Sequence, residues 1–447
     1  MSELTSVGLD VGTTSTQMVV SQLTVENRAG AWAVPEFAIS RRRVLYRSPV
    51  YFTPLLNEQL MDAPALRSLV EKEYRAAGIT REMVDTGAVL ITGETSRREN
   101  ARAVGEALGD LAGDFVVTAA GPELESVLAA KGAGAVEFSR ETGKTVLHMD
   151  IGGGTSNLCL IRAGEIVDTG CLNVGGRLIK FDGGGILRYV SPVLEGIFSG
   201  RAGEPITEEA ALALAETLGE ALEMAAGLRP ATELLQKLAT AEVGRLWQPP
   251  EAGAVLSFSG GVADCVEKDV PWETYGDLGP LLGRVIRQGR LCRGEHRLGT
   301  ETIRATVIGA GCHSTQLSGS TVYYRNLAFP LKNIPAAAIK TPADIPGAQA
   351  QGPAVLTLPG LPSPGYAQVA SLADSIAQNA SGPVYLCLEA DMAKALGQAL
   401  ALRLPEDVPI LCIDGIHVPP GSCLDIGAPV GSALPVVVKT LVFGGNT

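Results

Sequence analysis

Gly8-Leu9-Asp10-Val11-Gly12-Thr13-Thr14-Ser15-Thr16 and, far downstream, Asp150-Ile151-Gly152-Gly153-Gly154-Thr155-Ser156 are one chemical signature written twice. In each copy an apolar run ends in Asp, glycines and hydroxyl residues follow, and a second apolar run begins. The apolar runs predict buried strands and the glycines a tight turn between them. Backbone N–H groups of such a turn, with Ser and Thr hydroxyls beside them, suit phosphate oxygens. An aspartate at the end of each first strand is a hard oxygen ligand suited to a hydrated Mg²⁺. Two such hairpins facing one another would grip a polyphosphate from both sides, which predicts a nucleotide cleft between two similar half-molecules.

Working outward, Ser259-Gly260-Gly261-Val262-Ala263 follows the apolar run 255–259 and suits a close backbone approach to a nucleoside. Strand-turn-strand is expected over 5–25, and an irregular excursion over 32–60, where Pro35, Pro49 and Pro54 interrupt short extended runs. Helical spacing of Leu66, Leu69, Val70 and Tyr74 predicts a helix over 63–77. A strand over 87–92, a helix over 95–108, a strand over 115–119 and a helix reaching about Lys131 complete the first half. The second half opens with a strand at 146–150. Strands over 157–162 and 165–172, helices over 207–226 and 231–246, and a last strand over 303–308 follow. Prolines cluster after about 327 and predict a loop-rich linker. Beyond it, strands at 355–358, 384–388 and 410–413, separated by helices over 366–379 and 390–403, predict a small parallel sheet. A closing strand is expected over 436–443. The expected domains are residues 1–144, residues 145–327 and a C-terminal α/β unit, residues 328–447.

The bulk numbers bound the function. With 447 residues the chain can bury a large core, and at 46% hydrophobic but 5% aromatic that core is aliphatic. A net charge of −12 excludes nucleic acid and anionic membrane as bulk partners. Arg41-Arg42-Arg43 with Arg47 is the local exception, read either as a solvated edge strand or as a docking contact for a phosphate or acidic partner. The eight cysteines form no CxxC pair, which predicts buried reduced thiols in a cytoplasmic protein and neither disulfides nor a zinc site. No apolar segment reaches 18 residues, so a spanning helix is not expected. Gly143-Lys144-Thr145 is rejected as a P-loop, because Phe138 stands where its first glycine belongs and a strand follows. Gly183-Gly184-Gly185 reads as a hairpin tip, His148 as a satisfied core histidine, and His313 as a packing residue with a cleft position as the alternative.

The order and spacing of the three glycine turns resemble the actin, Hsp70-type chaperone and sugar-kinase superfamily, a two-lobed α/β ATPase core of duplicated ribonuclease H-like design. More narrowly, residues 7–17, the run Ile91-Thr92-Gly93-Glu94-Thr95, residues 148–157 and the segment Gly431-Ser432-Ala433-Leu434-Pro435 resemble ethanolamine ammonia-lyase reactivating factors. That resemblance implies a molecular chaperone that uses ATP and Mg²⁺ to release damaged cobalamin from inactivated ethanolamine ammonia-lyase, so that intact adenosylcobalamin rebinds. It implies that Asp10 and Asp150 organise Mg²⁺, and that Gly12, Thr13, Thr14, Gly152, Gly153, Gly154 and Thr155 contact phosphates. Gly260 and Gly261 would lie by the adenosine. Glu94 would orient the attacking water, or alternatively sit at a helix N-terminus that its charge stabilises. The first hairpin lacks the phosphate-contacting lysine of Hsp70-type chaperones, which suits a slow ATPase. No Asp-x-His-x-x-Gly motif marks a cobalamin ligand, so adenosylcobalamin would belong to the client. Homo-oligomerisation and residence in a bacterial microcompartment are compatible with the resemblance. A small-molecule kinase of the same superfamily and an actin-like scaffold stay open as alternatives.

Overall fold

The computed structural model describes residues 2–12, 15–29, 37–57, 60–92, 104, 108, 117–119, 122–240, 247, 249–250, 253–313, 315–319, 321–350, 352–418 and 422–440. The first sheet contains β1 (Ser2–Val11), β2 (Ser15–Asn27), β3 (Phe37–Arg47), β4 (Tyr51–Phe52), β5 (Thr86–Ile91) and β6 (Val117–Ala119). Its order is β3-β2-β1-β5-β6, with β4 pairing β2. The first three strands form an antiparallel meander, and β5 and β6 continue in parallel from β1. The second sheet takes β7 (Val146–Ile151), β8 (Ser156–Arg162) and β9 (Glu165–Leu172). After a hairpin of β10 (Ile179–Phe181) and β11 (Leu187–Val190) come β12 (Val255–Ser259) and β13 (His296–Leu298). Its order, β13-β12-β7-β8-β9, is the first sheet's order again, with the same meander and the same parallel continuation. This repetition is the duplicated ribonuclease H-like design of a two-lobed actin-like core.

Helices cover these sheets because their apolar stripes match the sheet faces. In the first lobe α1 (Ala63–Ala77) is capped by the Asp62 side chain, which accepts from the Ala65 N–H, and stops at Gly78 in a left-handed conformation. It lays Leu66 and Val70 against Val7, Leu9 and Val89. Between β6 and β7 in the chain come α2 (Pro122–Gly132) and α3 (Ala135–Thr142), and α3 packs Ala135 and Val136 on the second sheet. In the second lobe α4 (Glu208–Ala225), α5 (Glu233–Leu238), α6 (Ala263–Glu267) and α7 (Gly279–Gln288) enclose a core holding Met149, Leu214, Leu218, Phe258 and Leu281. Each such fully buried side chain contributes roughly 1.5–3 kcal/mol relative to exposure.

The segment read as a last strand over 303–308 is instead α8 (Ala305–His313). Its β-branched residues favour a strand, but tertiary packing overrides that preference. The helix lies backbone-close to β1 and α2: a methyl at Gly309 would overlap the Leu128 carbonyl, and one at Gly8 would overlap the Val307 carbonyl. The excursion expected over 32–60 holds an 11-residue strand, β3, whose edge position accounts for the exposed arginines. The helix expected over 231–246 is shorter, Glu233–Leu238, and ends at an extended Ala239; residues 241–246 lie outside the described residues. The helix expected over 95–108 falls almost wholly outside the described residues.

The third sheet is larger than expected. It comprises β14 (Thr315–Leu317), β15 (Tyr323–Arg325), β16 (Leu331–Ala338), β17 (Val355–Leu358), β18 (Val384–Leu388), β19 (Ile410–Asp414), β20 (Ser422–Ile426) and β21 (Pro435–Thr440). The order is β14-β21-β20-β16-β17-β18-β19-β15, and only β16 to β19 run parallel. After the single turn α9 (Ile345–Ala348), α10 (Tyr366–Asn379) and α11 (Ala393–Ala401) pack on one face. Pro335 sits inside β16 beside an irregular register, a place where the ladder tolerates a missing donor.

Candidate functional site

The two signature turns close in the same way. Gly12 N–H donates to the Ser15 carbonyl and Gly152 N–H to the Thr155 carbonyl, each at 2.9 Å, and the closing pairs are Val11 with Thr16 and Ile151 with Ser156. Asp10 and Asp150 precede these turns by two positions and line one cleft of about 370 Å³. Gly12, Gly152, Gly153, Gly154, Thr155, Gly260 and Gly261 line it with them. Thr13, Thr14 and Glu94 lie outside the described residues.

Asp10 is half-buried and Asp150 buried, and hydroxyls hold both. Thr92 Oγ1, just past β5, donates to Asp10 Oδ1 at 2.9 Å. Ser259 Oγ donates to Asp150 Oδ1, and Thr306 Oγ1 donates to Oδ2 at 3.3 Å. Burial raises the Asp10 pKa to about 7, against the Thr92 bond and with a further push from the Asp150 charge. Burial likewise raises Asp150 to about 6, against the Ser259 and Thr306 bonds. Two carboxylates that resist ionisation thus face one cleft. Among the described residues no group of three or more His, Cys, Asp or Glu could hold a metal. Asp10 and Asp150 alone could hold a hard ion only if it kept most of its water, as Mg²⁺ does.

A buried relay stands behind Asp150. His148 Nε2 lies 2.9 Å from Ser259 Oγ and its Nδ1 3.0 Å from Ser257 Oγ. Since the Ser259 hydroxyl donates to Asp150, it accepts from His148, so the imidazole carries its proton on Nε2. Burial, then the Arg297 charge, pushes the His148 pKa down to about 3, so the ring is neutral. This is the satisfied core histidine expected from the sequence.

Gly260 adopts φ 87°, and a Cβ there would overlap the Ile151 carbonyl, so the turn requires glycine. Gly261 has only Ile303 Cδ1, at 3.9 Å, near a would-be Cβ, which leaves its face open to the cleft.

Sequence reasoning missed the cleft's cation. The loop after β9 folds onto the second hairpin through Gly176 N–H to the Gly152 carbonyl at 3.0 Å and Arg177 N–H to the Gly153 carbonyl at 2.6 Å. Arg177 lines the cleft, donates from Nε to Asp277 Oδ2 at 2.9 Å, and holds its guanidinium 5.5 Å from the Phe52 ring. Glu125 on α2 is a further carboxylate on the cleft wall. Gln17, paired with Asp10 across the first hairpin, donates from Nε2 to the Ile303 carbonyl at 3.0 Å. Gly183-Gly184-Gly185 forms the β10–β11 tip and does not line the cleft.

Cys159, Cys265, Cys292, Cys312, Cys387 and Cys412 are free thiols, and of these six only Cys292 is partly exposed. Among the described residues no helix is long and apolar enough to cross a membrane.

The chain is 38% identical over 465 residues to the ethanolamine ammonia-lyase reactivase EutA of Salmonella typhimurium (strain LT2), covering 99% of both chains. It is 37% identical over 469 residues to the protein of the same name from Escherichia coli (strain K12), again over 99% of both. Among solved structures, an Aquifex aeolicus member of the Ppx/GppA family is 12% identical with a TM-score of 0.43, covering 69% of this chain and 97% of that one. The model of the family described as ethanolamine utilisation protein EutA matches residues 2–444, and the chain belongs to that family.

Proposed function

We propose that the chain is a reactivase of ethanolamine ammonia-lyase, an ATP-driven chaperone that opens the inactivated lyase, lets damaged cobalamin leave and allows intact adenosylcobalamin to bind. The observation that carries the nucleotide part is the pairing of Asp10 and Asp150, at equivalent positions of two like hairpins, in one cleft. The client is read from the full-length relatives, both named for that activity.

Asp10 and Asp150 would hold a hydrated Mg²⁺, which supplies positive charge to the phosphates. Gly12 and Gly152 close the two turns around the phosphates, backbone N–H groups of Gly153 and Gly154 with Thr13, Thr14 and Thr155 would donate to phosphate oxygens, and Gly260 and Gly261 would border the adenosine. Arg177 supplies the cation that the first hairpin lacks. Asp277 holds it through Nε, and a guanidinium suits phosphate geometry. Glu94 or Glu125 orients the water that attacks the terminal phosphorus, giving ADP and inorganic phosphate. Phosphoryl transfer asks for this positioning and charge stabilisation more than for covalent chemistry. ATP and ADP states hold the lobes at different closure, and their unequal affinity for the lyase drives exchange. The protein would act in the cytoplasm or inside a microcompartment shell.

ATP turnover measured with and without inactivated lyase tests this reading. Turnover that rises with the lyase and is abolished in Asp150→Ala supports it. Turnover that rises instead with a small alcohol or acid, without lyase, would make the chain a kinase, and ATP-dependent pelleting would make it a scaffold. Lower turnover in Glu94→Gln or in Glu125→Gln identifies the water-orienting residue.

A further inference from the structure

Beside the first sheet's edge lies a second cavity, of about 440 Å³, with Arg28, Arg42, Lys131, His313, Thr315 and Gln316 on its walls. Among the described residues no carboxylate lines it. Strand alternation turns Arg42 toward it and leaves the neighbouring Arg43 off its wall. Arg42 Nε donates to the Cys312 carbonyl at 2.9 Å, in the last turn of α8. Among the described residues the side chains of Arg28, Lys131 and His313 have no hydrogen-bond or ion partner.

The charges around this cavity do not cancel. The C-terminal ends of α2 and α8 converge on it, and each brings roughly half an elementary negative charge. Three cationic side chains stand against them. Arg42 and Lys131 both feel the Glu137 carboxylate, which Arg140, felt by both as well, offsets. Burial and the Arg42 charge together lower the Lys131 pKa, and burial with Arg42 and Lys131 lowers His313 to about 3. His313 is therefore a neutral ring with one N–H to donate. In a chain of net charge −12 such a concentration of positive charge calls for an anionic occupant.

We propose that this cavity is a binding site for a phosphoryl anion, either free phosphate or an organic phosphate monoester, separate from the nucleotide cleft. Arg42 and Lys131 neutralise its charge, and His313, Thr315 and Gln316 supply neutral hydrogen bonds. The volume exceeds that of a phosphate group alone and leaves room for an ester substituent. The walls come from β3, α2, α8 and β14, so an occupied site ties the first lobe to the C-terminal sheet.

The test is calorimetric titration of the full chain with inorganic phosphate and, separately, with glycerol phosphate, at constant ionic strength. The nucleotide cleft is first saturated with Mg²⁺ and a non-hydrolysable ATP analogue. Saturable binding of one equivalent is expected, weakened about tenfold or more in Arg42→Gln and unchanged in Arg43→Gln, which removes the same charge from the next position. The tighter of the two probes names the source. If Arg42→Gln fails to fold, Lys131→Gln makes the same comparison. Absence of saturable binding of either probe, or equal weakening by Arg43→Gln, would overturn the proposal.

Discussion

Replacing Asp10 by asparagine should stabilise the metal-free protein while destroying its nucleotide site. The Asp10 pKa rises from 3.8 to about 7, chiefly through burial. At about 1.36 kcal/mol per unit, ionising Asp10 in the fold costs about 4 kcal/mol relative to ionising it in the unfolded chain. The sign follows from a folded pKa above the unfolded one. The protonated carboxyl's contribution is fully present below about pH 4 and is lost as the pH rises through about 7. At pH 8 the wild type carries a buried carboxylate, and Asp10→Asn does not. The amide must still be desolvated, so roughly half the gain survives, about 2 kcal/mol. Amide hydrogen exchange in β1 and β5, measured in EDTA without nucleotide, reports opening of the first lobe directly. At pH 8 those amides should exchange about 30-fold more slowly in Asp10→Asn than in wild type. As the pH falls below 7 the difference should shrink, closing only near pH 4, where Asp10 is protonated in the folded and the unfolded chain alike. A variant that exchanges faster at pH 8, or a difference that does not change with pH, would refute the burial argument.

Three further outcomes follow from the site's geometry. Gly260→Ala, strained at φ 87° and blocked by the Ile151 carbonyl, should lose about 1–3 kcal/mol, whereas Gly261→Ala, with 3.9 Å of clearance, should melt within a degree or two of wild type; equal losses in calorimetric melts would contradict the assigned turn. Ser259→Ala removes a bond that favours ionised Asp150, so the pH at which Mg²⁺-dependent ATP binding halves should move upward, and an unmoved profile argues against the relay. Arg177→Ala should weaken ATP about tenfold or more while leaving adenosine affinity unchanged; equal weakening of both ligands would remove Arg177 from the phosphates.

The hairpins were legible in the sequence because their chemistry is local: Asp, a two-residue step to glycine and a hydroxyl determine the turn and the charge together. The amphipathic helices α1 and α10 were legible for the same reason, with apolar spacing and end signals contained in one segment. What the sequence hid depends on distant contacts. Residues 303–308 carry strand-forming Ile, Thr and Val, yet become the start of α8 because Gly8, Gly309 and Gly311 let its backbone approach β1 and α2. Arg177 is one arginine after two glycines, and only the fold of that loop onto the second hairpin brings it to the cleft. The C-terminal sheet was half read: β14 and β15 are three-residue edges, β16 contains Pro335, and β20 is a five-residue run that only its pairing with β16 and β21 marks as a strand. Arg42 could not be distinguished from Arg41 and Arg43 until pairing with β2 set which side of β3 each occupies.

The most direct test of the account is reactivation itself. Lyase blocked with cyanocobalamin is incubated with this chain, Mg²⁺ and adenosylcobalamin, with and without ATP, and recovered ammonia-lyase activity is read. Activity should return only with ATP, and not with Asp150→Asn, although that variant still binds the lyase. Recovery that is equal without ATP, or equal with the variant, would contradict a nucleotide-driven switch.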